Sequence, residues 1–169
     1  MSPALIRCLL WDLLWVAALL ACGSAQALSG VVTHVTDGDT IWVRPEGAKP
    51  VKVRLLGLDA PEHCQAWGLQ AQAALASRVL NQTVRVRTRA YDDYHRAVGK
   101  LELRGEDIAA WMVLNGHAWS YRYRGSPGPY AEQERQARVA RRGLFAAAAV
   151  EPRAFRKLHG PCSAPLTAP

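Results

Sequence analysis

The chain has 169 residues, half of them hydrophobic, and a formal net charge of +7 at pH 7. This length suits one domain of ordinary size, and the apolar content is sufficient for a packed core, which excludes a disordered, low-complexity chain. The positive charge is typical of proteins that meet polyanions, although a basic surface without any partner has the same composition.

The first 27 residues differ in kind from the rest. Arg7 precedes an apolar run over residues 13–22, and small residues at positions 25–27 offer a cleavage point, although Asp12 just before the run is unusual. The pattern predicts a secretory signal peptide over residues 1–27, with an apolar run too short to span a membrane. We therefore expect an exported protein, periplasmic or extracellular, with no transmembrane segment after signal removal.

A lipoprotein is the second interpretation of the same segment. Residues 19–23 read LLACG, which resembles the sequence cut before a lipid-modified cysteine, and Cys22 would then anchor the protein. Asp12 argues against this processing. In either case we expect the folded domain over residues 28–150 and an irregular C-terminal tail, rich in Pro and Ala, over residues 151–169.

Short strands follow the N-terminal segment. Apolar residues alternate over residues 31–35, 40–43 and 51–56, and an Asp-Gly pair indicates a tight turn between the first two strands. In the third strand the valines share one face, and Arg54 lies on the other. Arg54 therefore points away from the core and can face a site.

A helical period begins after the third strand. Leu69, Ala73, Ala76 and Leu80 recur at helical spacing and predict a helix over residues 68–81 with these residues as its apolar positions.

Two further strands and two further helices complete the predicted domain. The strands are expected over residues 83–88 and 98–103, and the helices over residues 107–116 and 130–142. This order predicts a small α+β domain in which a five-stranded barrel carries three helices, and such barrels commonly bind oligonucleotides. An open antiparallel sheet has the same pattern.

Two acidic clusters and two arginines lie near the ends of the predicted strands. One cluster is the TDGDT turn at residues 36–40, and the other ends the string RLLGLDAPE at residues 54–62. Carboxylates that meet in space bind a hard divalent cation, and a nearby arginine can hold a phosphate with its planar fork. Together these groups can hydrolyse a phosphodiester. The candidates are Asp37, Asp39, Asp59, Glu62, Arg54 and Arg96.

Two cysteines, Cys64 and Cys162, remain after signal removal. In an oxidising compartment a disulfide between them is the expected state. A zinc site is the alternative, because His63 adjoins Cys64 and His159 lies near Cys162, but adjacent residues rarely chelate one metal together. We expect the disulfide, which would hold the tail close to the loop that carries Glu62.

With these motifs the sequence resembles the thermonuclease family, also called staphylococcal or micrococcal nuclease-like. The resemblance covers about residues 28–145 and implies a barrel of the oligonucleotide-binding (OB) type with three helices, and Ca²⁺-dependent cleavage of DNA and RNA. It rests on motifs in the family's order and spacing: the DGDT turn at 37–40, RLLxxDxPE at 54–62, Tyr94-x-Arg96, the helix over 107–116 and Tyr121-x-Tyr123.

The resemblance also implies a metal site and a catalytic acid. Asp39, Asp59 and the backbone carbonyl of Ala60 would bind calcium directly, and Asp37 would be a nearby acid that does not contact the ion. Glu62 would lie over a calcium-bound water, either as a general base or as the group that positions the attacking water.

The substrate contacts follow from the same resemblance. Arg54 and Arg96 would hold the scissile phosphate from two sides, and Tyr94, Tyr121 and Tyr123 would line the nucleotide site. Contacts to phosphate carry no base information, so little sequence specificity is expected. Aromatic side chains that stack on bases favour unpaired strands.

Three residues depart from the family pattern. His95 stands where the family usually has glycine, which bears on the turn before Arg96, and Asp93 stands where a basic residue is common. Phe145 replaces a frequent tryptophan. None of these departures removes a catalytic group.

The sequence therefore predicts an exported, monomeric, Ca²⁺-dependent nuclease with no stable protein partner. One alternative is a non-catalytic OB-fold module that binds nucleic acid without turnover, and another is a lipid-anchored envelope protein whose basic face binds acidic polymers. A degenerate module would be expected to lack some of the functional side chains. All five of the following are present: Asp39, Arg54, Asp59, Glu62 and Arg96.

Overall fold

The computed structural model describes residues 27–160 and Cys162. Residues 1–26 of the expected signal peptide (residues 1–27) and the lipidation site Cys22 lie outside the described residues, so both processing interpretations remain predictions. Within the described part of the chain, no helix combines the length and the apolar character that a bilayer crossing requires.

Five strands form a closed barrel, as the sequence predicts. They are β1 (Ala27–Asp37), β2 (Thr40–Arg44), β3 (Val51–Leu55), β5 (Thr83–Tyr91) and β6 (Ala97–Leu103). The antiparallel order β3-β2-β1-β5-β6 is closed by parallel pairing of β3 with β6. Three two-residue strands, which sequence periodicity does not show, complete the pairing: β4 (Leu58–Asp59), β7 (Glu106–Asp107) and β8 (Trp119–Ser120).

β1 is long enough to serve two neighbours. Its first residues pair with β5, and its later residues, from Val31 to Asp37, pair with β2. Two irregularities in the β1–β2 register, between Val32 and His34 and between Val35 and Asp37, interrupt the regular pairing. Bulges of this kind bend a strand and increase its twist, which closing a small barrel requires.

The barrel interior is apolar, and the predicted alternation in β3 is confirmed. Val53 and Leu55 are buried, whereas Arg54 on the opposite face is only partly buried. Arg54 pairs in register with Thr40 of β2 and Val98 of β6. The strand pattern thus places this arginine outside the core, between two neighbouring strands.

Four α-helices accompany the barrel in the described residues, one more than expected. They are α1 (Gly68–Val79), α2 (Ile108–Leu114), α3 (Ala131–Val139) and α4 (Pro152–His159), with a 3₁₀ turn at Gly143–Ala146. The additional helix α4 lies in the tail that the sequence suggests is irregular. It has only eight residues and begins with proline, which is favourable at the first helical position but otherwise marks a break.

The face of α1 that enters the core is not the predicted one. Leu69 is 64% exposed and Leu80 39% exposed. The buried residues of α1 are instead Gly68, Ala71, Leu75 and Val79, which also recur at helical spacing. Since alanines occupy both faces of this helix, periodicity could not distinguish them.

Asp107 caps α2, as its position before the helix suggests. Its side-chain oxygen accepts a hydrogen bond from the backbone N–H of Ala110 at 3.1 Å. The hydroxyl of Tyr130, the residue before α3, donates to the same carboxylate at 3.0 Å. One carboxylate therefore joins the starts of two helices that pack together.

Phe145, one of the departures from the family pattern, packs edge-on against Trp119.

Candidate active site

An open cleft of about 920 Å³ is formed by the β1–β2 turn, β3, the segment after β4 and the β5–β6 hairpin. It gathers most of the residues that the sequence singles out. The predicted residues that line it are Asp37, Asp39, Arg54, Ala60, Glu62, Tyr94, Arg96 and Tyr121. Asp59 adjoins this group through its contacts with arginines of the cleft.

The β1–β2 turn brings two aspartates to the cleft. Asp37 accepts a hydrogen bond from the backbone N–H of Asp39 at 3.0 Å, and Asp39 accepts one from the hydroxyl of Thr40 at 2.7 Å. A Cβ at Gly38 would lie 2.8 Å from the Cβ of Ala60. Glycine is therefore needed for the turn to approach the segment that carries the second acidic cluster.

Arg54 joins the two acidic clusters. Its Nη2 atom lies 2.7 Å from Oδ2 of Asp39 and 3.3 Å from Oδ1 of Asp59. Burial by itself would lower the pKa of Arg54, but the nearby carboxylates, led by Asp39, raise it, so the guanidinium stays charged. The carboxylates are largely buried, with Asp39 4% and Asp59 7% exposed. A positive charge thus already stands between them.

The acidic cluster holds more negative charge than its arginines balance. Burial and the neighbouring Asp39 raise the pKa of Asp37 to about 7. Burial also raises the pKa of Asp59; Arg156 opposes this shift and Asp39 adds to it. A further cation near these carboxylates would oppose the rise in their pKa values and favour their charged forms. Their hard oxygen atoms suit calcium better than a thiophilic metal.

The side chains alone do not form a complete metal cage. Among residues 27–160 and 162, no three His, Cys, Asp or Glu side chains converge as a cluster that could hold a metal ion. Asp39, Asp59 and the carbonyl of Ala60 would therefore supply part of a coordination shell. Calcium takes six to eight oxygen ligands, so water and substrate oxygens would have to complete the shell. The donor set fits a cation bound jointly with substrate.

A buried carboxylate elsewhere helps to fix the position of Asp59. Asp59 belongs to β4, where it pairs with Trp119 of β8. The next residue, Ser120, donates its backbone N–H to Oε2 of Glu134 at 2.9 Å, and Glu134 is 3% exposed. Arg122 neutralises Glu134 at 2.6 Å. This network holds the strand against which Asp59 is aligned.

Arg96 is held by an aspartate that sequence reasoning missed. Asp92 accepts hydrogen bonds from the backbone N–H groups of Tyr94, at 3.0 Å, and Arg96, at 2.9 Å. Its second oxygen accepts from Nε of Arg96 at 2.7 Å. The side chain of Arg96 also reaches Thr40, with 3.5 Å between Nη1 and Oγ1. Asp92 precedes Arg96 by four residues in a hairpin, and this side-chain turn is the signal that could have revealed it.

The turn before Arg96 has the backbone that glycine would favour. His95 has φ 58°, in the left-handed region where a Cβ is unfavourable. Its N–H still donates to the carbonyl of Asp92 at 2.9 Å, so the turn is closed. The departure from the family's glycine therefore places strain in this turn without opening it.

Replacing His95 with glycine is expected to stabilise the protein by about 0.5–1 kcal/mol. The substitution removes the Cβ from a left-handed position, and the greater freedom of glycine in the unfolded chain offsets part of the gain. Denaturant unfolding of both proteins measures the difference. His95→Ala is the matched control, because it removes the imidazole and keeps the Cβ. Equal stabilisation by alanine would show that backbone strain is not the cause.

The three tyrosines are not equivalent. Tyr94 is 80% exposed and lies in the cleft, with its ring centre 5.3 Å from the guanidinium carbon of Arg96. Tyr121 also lines the cleft. Tyr123 is exposed and does not line the cleft, and its ring centre lies 5.1 Å from the guanidinium carbon of Arg124. The structure thus brings two of the three predicted nucleotide contacts to the cleft.

The predicted disulfide is confirmed, and the segment it holds brings an unexpected side chain. Cys64 and Cys162 are joined, with their Cα atoms 5.9 Å apart. Arg156, on α4, lies 2.6 Å from Oε1 of Glu62 and 3.4 Å from Oδ2 of Asp59. The sequence pattern does not single out Arg156. The expected disulfide did, however, place the C-terminal tail that contains Arg156 near the loop of Glu62.

A closed OB-type barrel whose cleft combines buried carboxylates with arginines defines a class of protein: an oligonucleotide-binding barrel with a hydrolytic type of site. Comparison with known proteins agrees with this class. The family model described as "Staphylococcal nuclease homologue" matches residues 52–147. The chain belongs to this thermonuclease-like family.

Several relatives carry nuclease names. The chain is 31% identical over 140 residues to an "Uncharacterized endonuclease" of Haemophilus influenzae, covering 83% of this chain and 79% of the relative. It is 39% identical over 127 residues to a "Micrococcal nuclease" of Shigella flexneri, covering 69% and 72%. It is 37% identical over 154 residues to "Protein ParB" of Escherichia coli, covering 83% and 86%. The family model and the first two relatives indicate a nuclease acting on nucleic acid.

Proposed function

We propose that this nuclease is an exported, monomeric, Ca²⁺-dependent enzyme that hydrolyses phosphodiester bonds of DNA and RNA, with a preference for single strands. The observation that supports it most directly is the gathering of Asp39, Asp59, Glu62, Arg54 and Arg96 around one cleft. The formal net charge of the chain, +7 at pH 7, favours a polyanionic substrate. The exposed ring of Tyr94 offers a surface on which an unpaired base can stack.

Two arginines would bind the scissile phosphate. Arg96 is oriented by Asp92 through its Nε atom, and its side chain lines the cleft. In the structure Arg54 pairs with Asp39 and Asp59. For Arg54 to bind a phosphate instead, another positive charge must replace it at those carboxylates. Guanidinium groups there would stabilise charge that grows on the phosphate oxygens during attack.

Glu62 would take the proton of the attacking water or orient that water for in-line attack. Glu62 lines the cleft, in the segment that directly follows Asp59 at the end of β4. Calcium held by Asp39, Asp59 and the Ala60 carbonyl would polarise the phosphate and balance its charge. Expulsion of the sugar oxygen on the far side of the phosphorus then completes the hydrolysis.

A non-catalytic nucleic-acid-binding module is the second candidate. Binding alone would need the basic surface and the aromatic side chains. It would not need several carboxylates in the same cleft, because carboxylates repel a polyanion. Asp37, Asp39 and Glu62 all line the cleft. The composition of the cleft therefore favours turnover.

Removal of calcium is expected to abolish cleavage of single-stranded DNA and RNA, and addition of Ca²⁺ in excess of the chelator is expected to restore it. The reason is that the oxygen ligands of the site suit a hard cation such as Ca²⁺, and the chelator removes that cation. A fluorescent oligonucleotide assay with and without a calcium-selective chelator measures the effect. Full activity in the chelator would exclude the calcium mechanism.

Asp39→Ala provides a test of the metal site that does not depend on activity. Calorimetric titration with Ca²⁺ should show weaker binding to this variant than to the parent protein. Glu132→Ala is a matched control, because Glu132 lies on the exposed surface of α3 and pairs with Arg135 outside the cleft. Equal calcium affinity in the parent and Asp39→Ala would remove Asp39 from the ligand set.

A further inference from the structure

The C-terminal segment, described over residues 150–160 and at Cys162, forms part of the active-site wall through Arg156 and Cys162. At its start, the carbonyl of Val150 accepts a hydrogen bond from the side chain of Gln65 at 2.5 Å. At its end, Cys162 is bonded to Cys64, and the backbone N–H of Cys64 also donates to Cys162 Sγ at 3.2 Å. Both ends of α4 are therefore fixed to the short segment that connects Glu62 with α1.

A side chain in the middle of this segment reaches the carboxylates of the cleft. Nη1 of Arg156 lies 2.6 Å from Oε1 of Glu62, and Nη2 lies 3.4 Å from Oδ2 of Asp59. The side chain of Arg156 is 34% exposed, against 25% for Glu62 and 10% for Asp59. A charge-assisted contact this short and partly shielded from water restricts a carboxylate more than a solvated surface pair does.

Glu62 has few other restraints. Its backbone N–H donates to Gln65 at 3.2 Å, which fixes the main chain. In residues 27–160 and 162, Arg156 is the one side chain that hydrogen-bonds the Glu62 carboxylate. Because Glu62 is in an irregular connection between β4 and α1, its side chain would otherwise sample several rotamers. The orientation of its carboxylate thus depends on α4.

We propose that Arg156 is a positioning residue that fixes the Glu62 carboxylate for hydrolysis, and that the Cys64–Cys162 disulfide keeps Arg156 in place. The inference rests on the nuclease mechanism proposed above, and it adds a residue beyond residue 147, where the match to the family model ends. The active site of this chain is therefore completed by its own C-terminal segment.

Arg156 differs from the arginines assigned to phosphate in its position in the fold and in the carboxylate that it contacts. Arg54 and Arg96 extend from strand β3 and the β5–β6 hairpin, which form the barrel. Arg156 instead extends from α4 and donates Nη1 to Glu62, a carboxylate that neither Arg54 nor Arg96 contacts within the described residues. An effect through Glu62 is thus expected, and direct binding of substrate is the outcome to be excluded.

A double-mutant cycle separates these two roles. The proteins are the parent, Arg156→Ala, Glu62→Gln and the variant with both changes, assayed on single-stranded DNA at saturating Ca²⁺. Loss of a group that orients an active-site ligand typically costs about 10- to 100-fold. We expect Arg156→Ala to lower kcat by that factor with little change in KM, and to cause no further loss when Glu62 is already glutamine.

Two companion variants test whether position or charge matters. Lys157→Ala removes a positive charge from the neighbouring, exposed position of α4 and should leave kcat unchanged. Arg156→Lys keeps the charge but loses the planar fork, so it should recover part of the kcat. A loss of equal size for Lys157→Ala, an effect confined to KM, or full additivity with Glu62→Gln would overturn the proposal.

The contribution of the disulfide is tested in the same way. Replacing Cys64 and Cys162 with serine should lower kcat in the parent, and have little further effect in Arg156→Ala. The assays are run at a temperature where circular dichroism shows each variant folded; if the serine variant does not fold, the Arg156–Glu62 cycle alone decides the positioning role. An equal effect of the cysteine replacements in both backgrounds would overturn the link to Arg156.

NMR of the Glu62 carboxyl group provides a readout that does not require activity. With ¹³C-labelled glutamate, the resonance that disappears in Glu62→Gln is assigned to Glu62. Arg156→Ala should shift this resonance, and Lys157→Ala should not. A parent protein that does not cleave nucleic acid would contradict the nuclease mechanism, whereas an unmoved resonance would contradict the Arg156 contact itself.

Discussion

Replacing Glu62 with glutamine is expected to lower kcat about 10²- to 10³-fold while preserving the fold. Glutamine has nearly the same shape, but its amide cannot take a proton from water and cannot form an ion pair with Arg156. Initial rates on single-stranded DNA at saturating Ca²⁺ measure the loss, and circular dichroism checks the fold.

Glu132→Gln is the matched control for this experiment. It makes the same chemical change on the exposed surface of α3, where Glu132 pairs with Arg135. Its kcat should stay at the parental value. Parental kcat in folded Glu62→Gln would remove Glu62 from the mechanism, and an equal loss in both variants would point to net charge instead of a catalytic role.

Arg54→Ala belongs to the same prediction, with an expected loss of similar size. The change removes a guanidinium assigned to the transition state and leaves Asp39 and Asp59 without their bridging cation. Arg54→Lys should recover little, because an ammonium group lacks the planar fork. Arg135→Ala, on the exposed surface of α3, is the matched control. Retention of parental kcat by Arg54→Ala would contradict the assignment.

Loss of the Cys64–Cys162 bond is expected to have the largest effect on stability. The bond joins residues 98 positions apart. In the chain-entropy description, closing a loop of about this length in the unfolded chain stabilises the protein by roughly 4–5 kcal/mol, less any strain. The serine double variant should therefore unfold at a clearly lower denaturant concentration. Calcium-dependent cleavage should remain measurable at low temperature.

Two measurements make the disulfide result specific. Mass spectrometry under non-reducing conditions should find the peptides of Cys64 and Cys162 joined in the parent. A reductant should lower the unfolding midpoint of the parent and leave that of the serine variant unchanged. Two free thiols or a bound zinc ion in the parent would contradict the structure, and equal midpoints would show that the cross-link does not restrain the unfolded chain.

The sequence was most informative where one physical constraint determines the structure. Strict alternation in β3 requires Arg54 to oppose Val53 and Leu55, and the barrel has this arrangement. The turn at Gly38 and the cap at Asp107 follow from equally local requirements. In each case a backbone or side-chain geometry has few alternatives. These local features could therefore be predicted from the residues, whereas the closed barrel, which the residue pattern did not distinguish from an open sheet, and the roles of the site residues were implied by the resemblance to the family.

Prediction failed where several local patterns were equally compatible with the chain. The exposed Leu69 and the buried Leu75 both fit a helical period, and only tertiary packing distinguishes their faces. Helix α4 is too short to show a clear period. Arg156 contacts Glu62 across 94 residues of sequence, and only the fold of the tail creates that contact. Long-range pairs of this kind have no local signature.

The cross-linked tail has a consequence for the cell that makes the protein. In a reducing cytoplasm the Cys64–Cys162 bond is not expected to form, and α4 would be held beside Glu62 by non-covalent contacts alone. A newly synthesised chain would then be a poorer nuclease while it is surrounded by the cell's own DNA and RNA. Oxidation after the export proposed above would complete the enzyme. On this basis, disulfide formation would act as a safeguard against self-digestion.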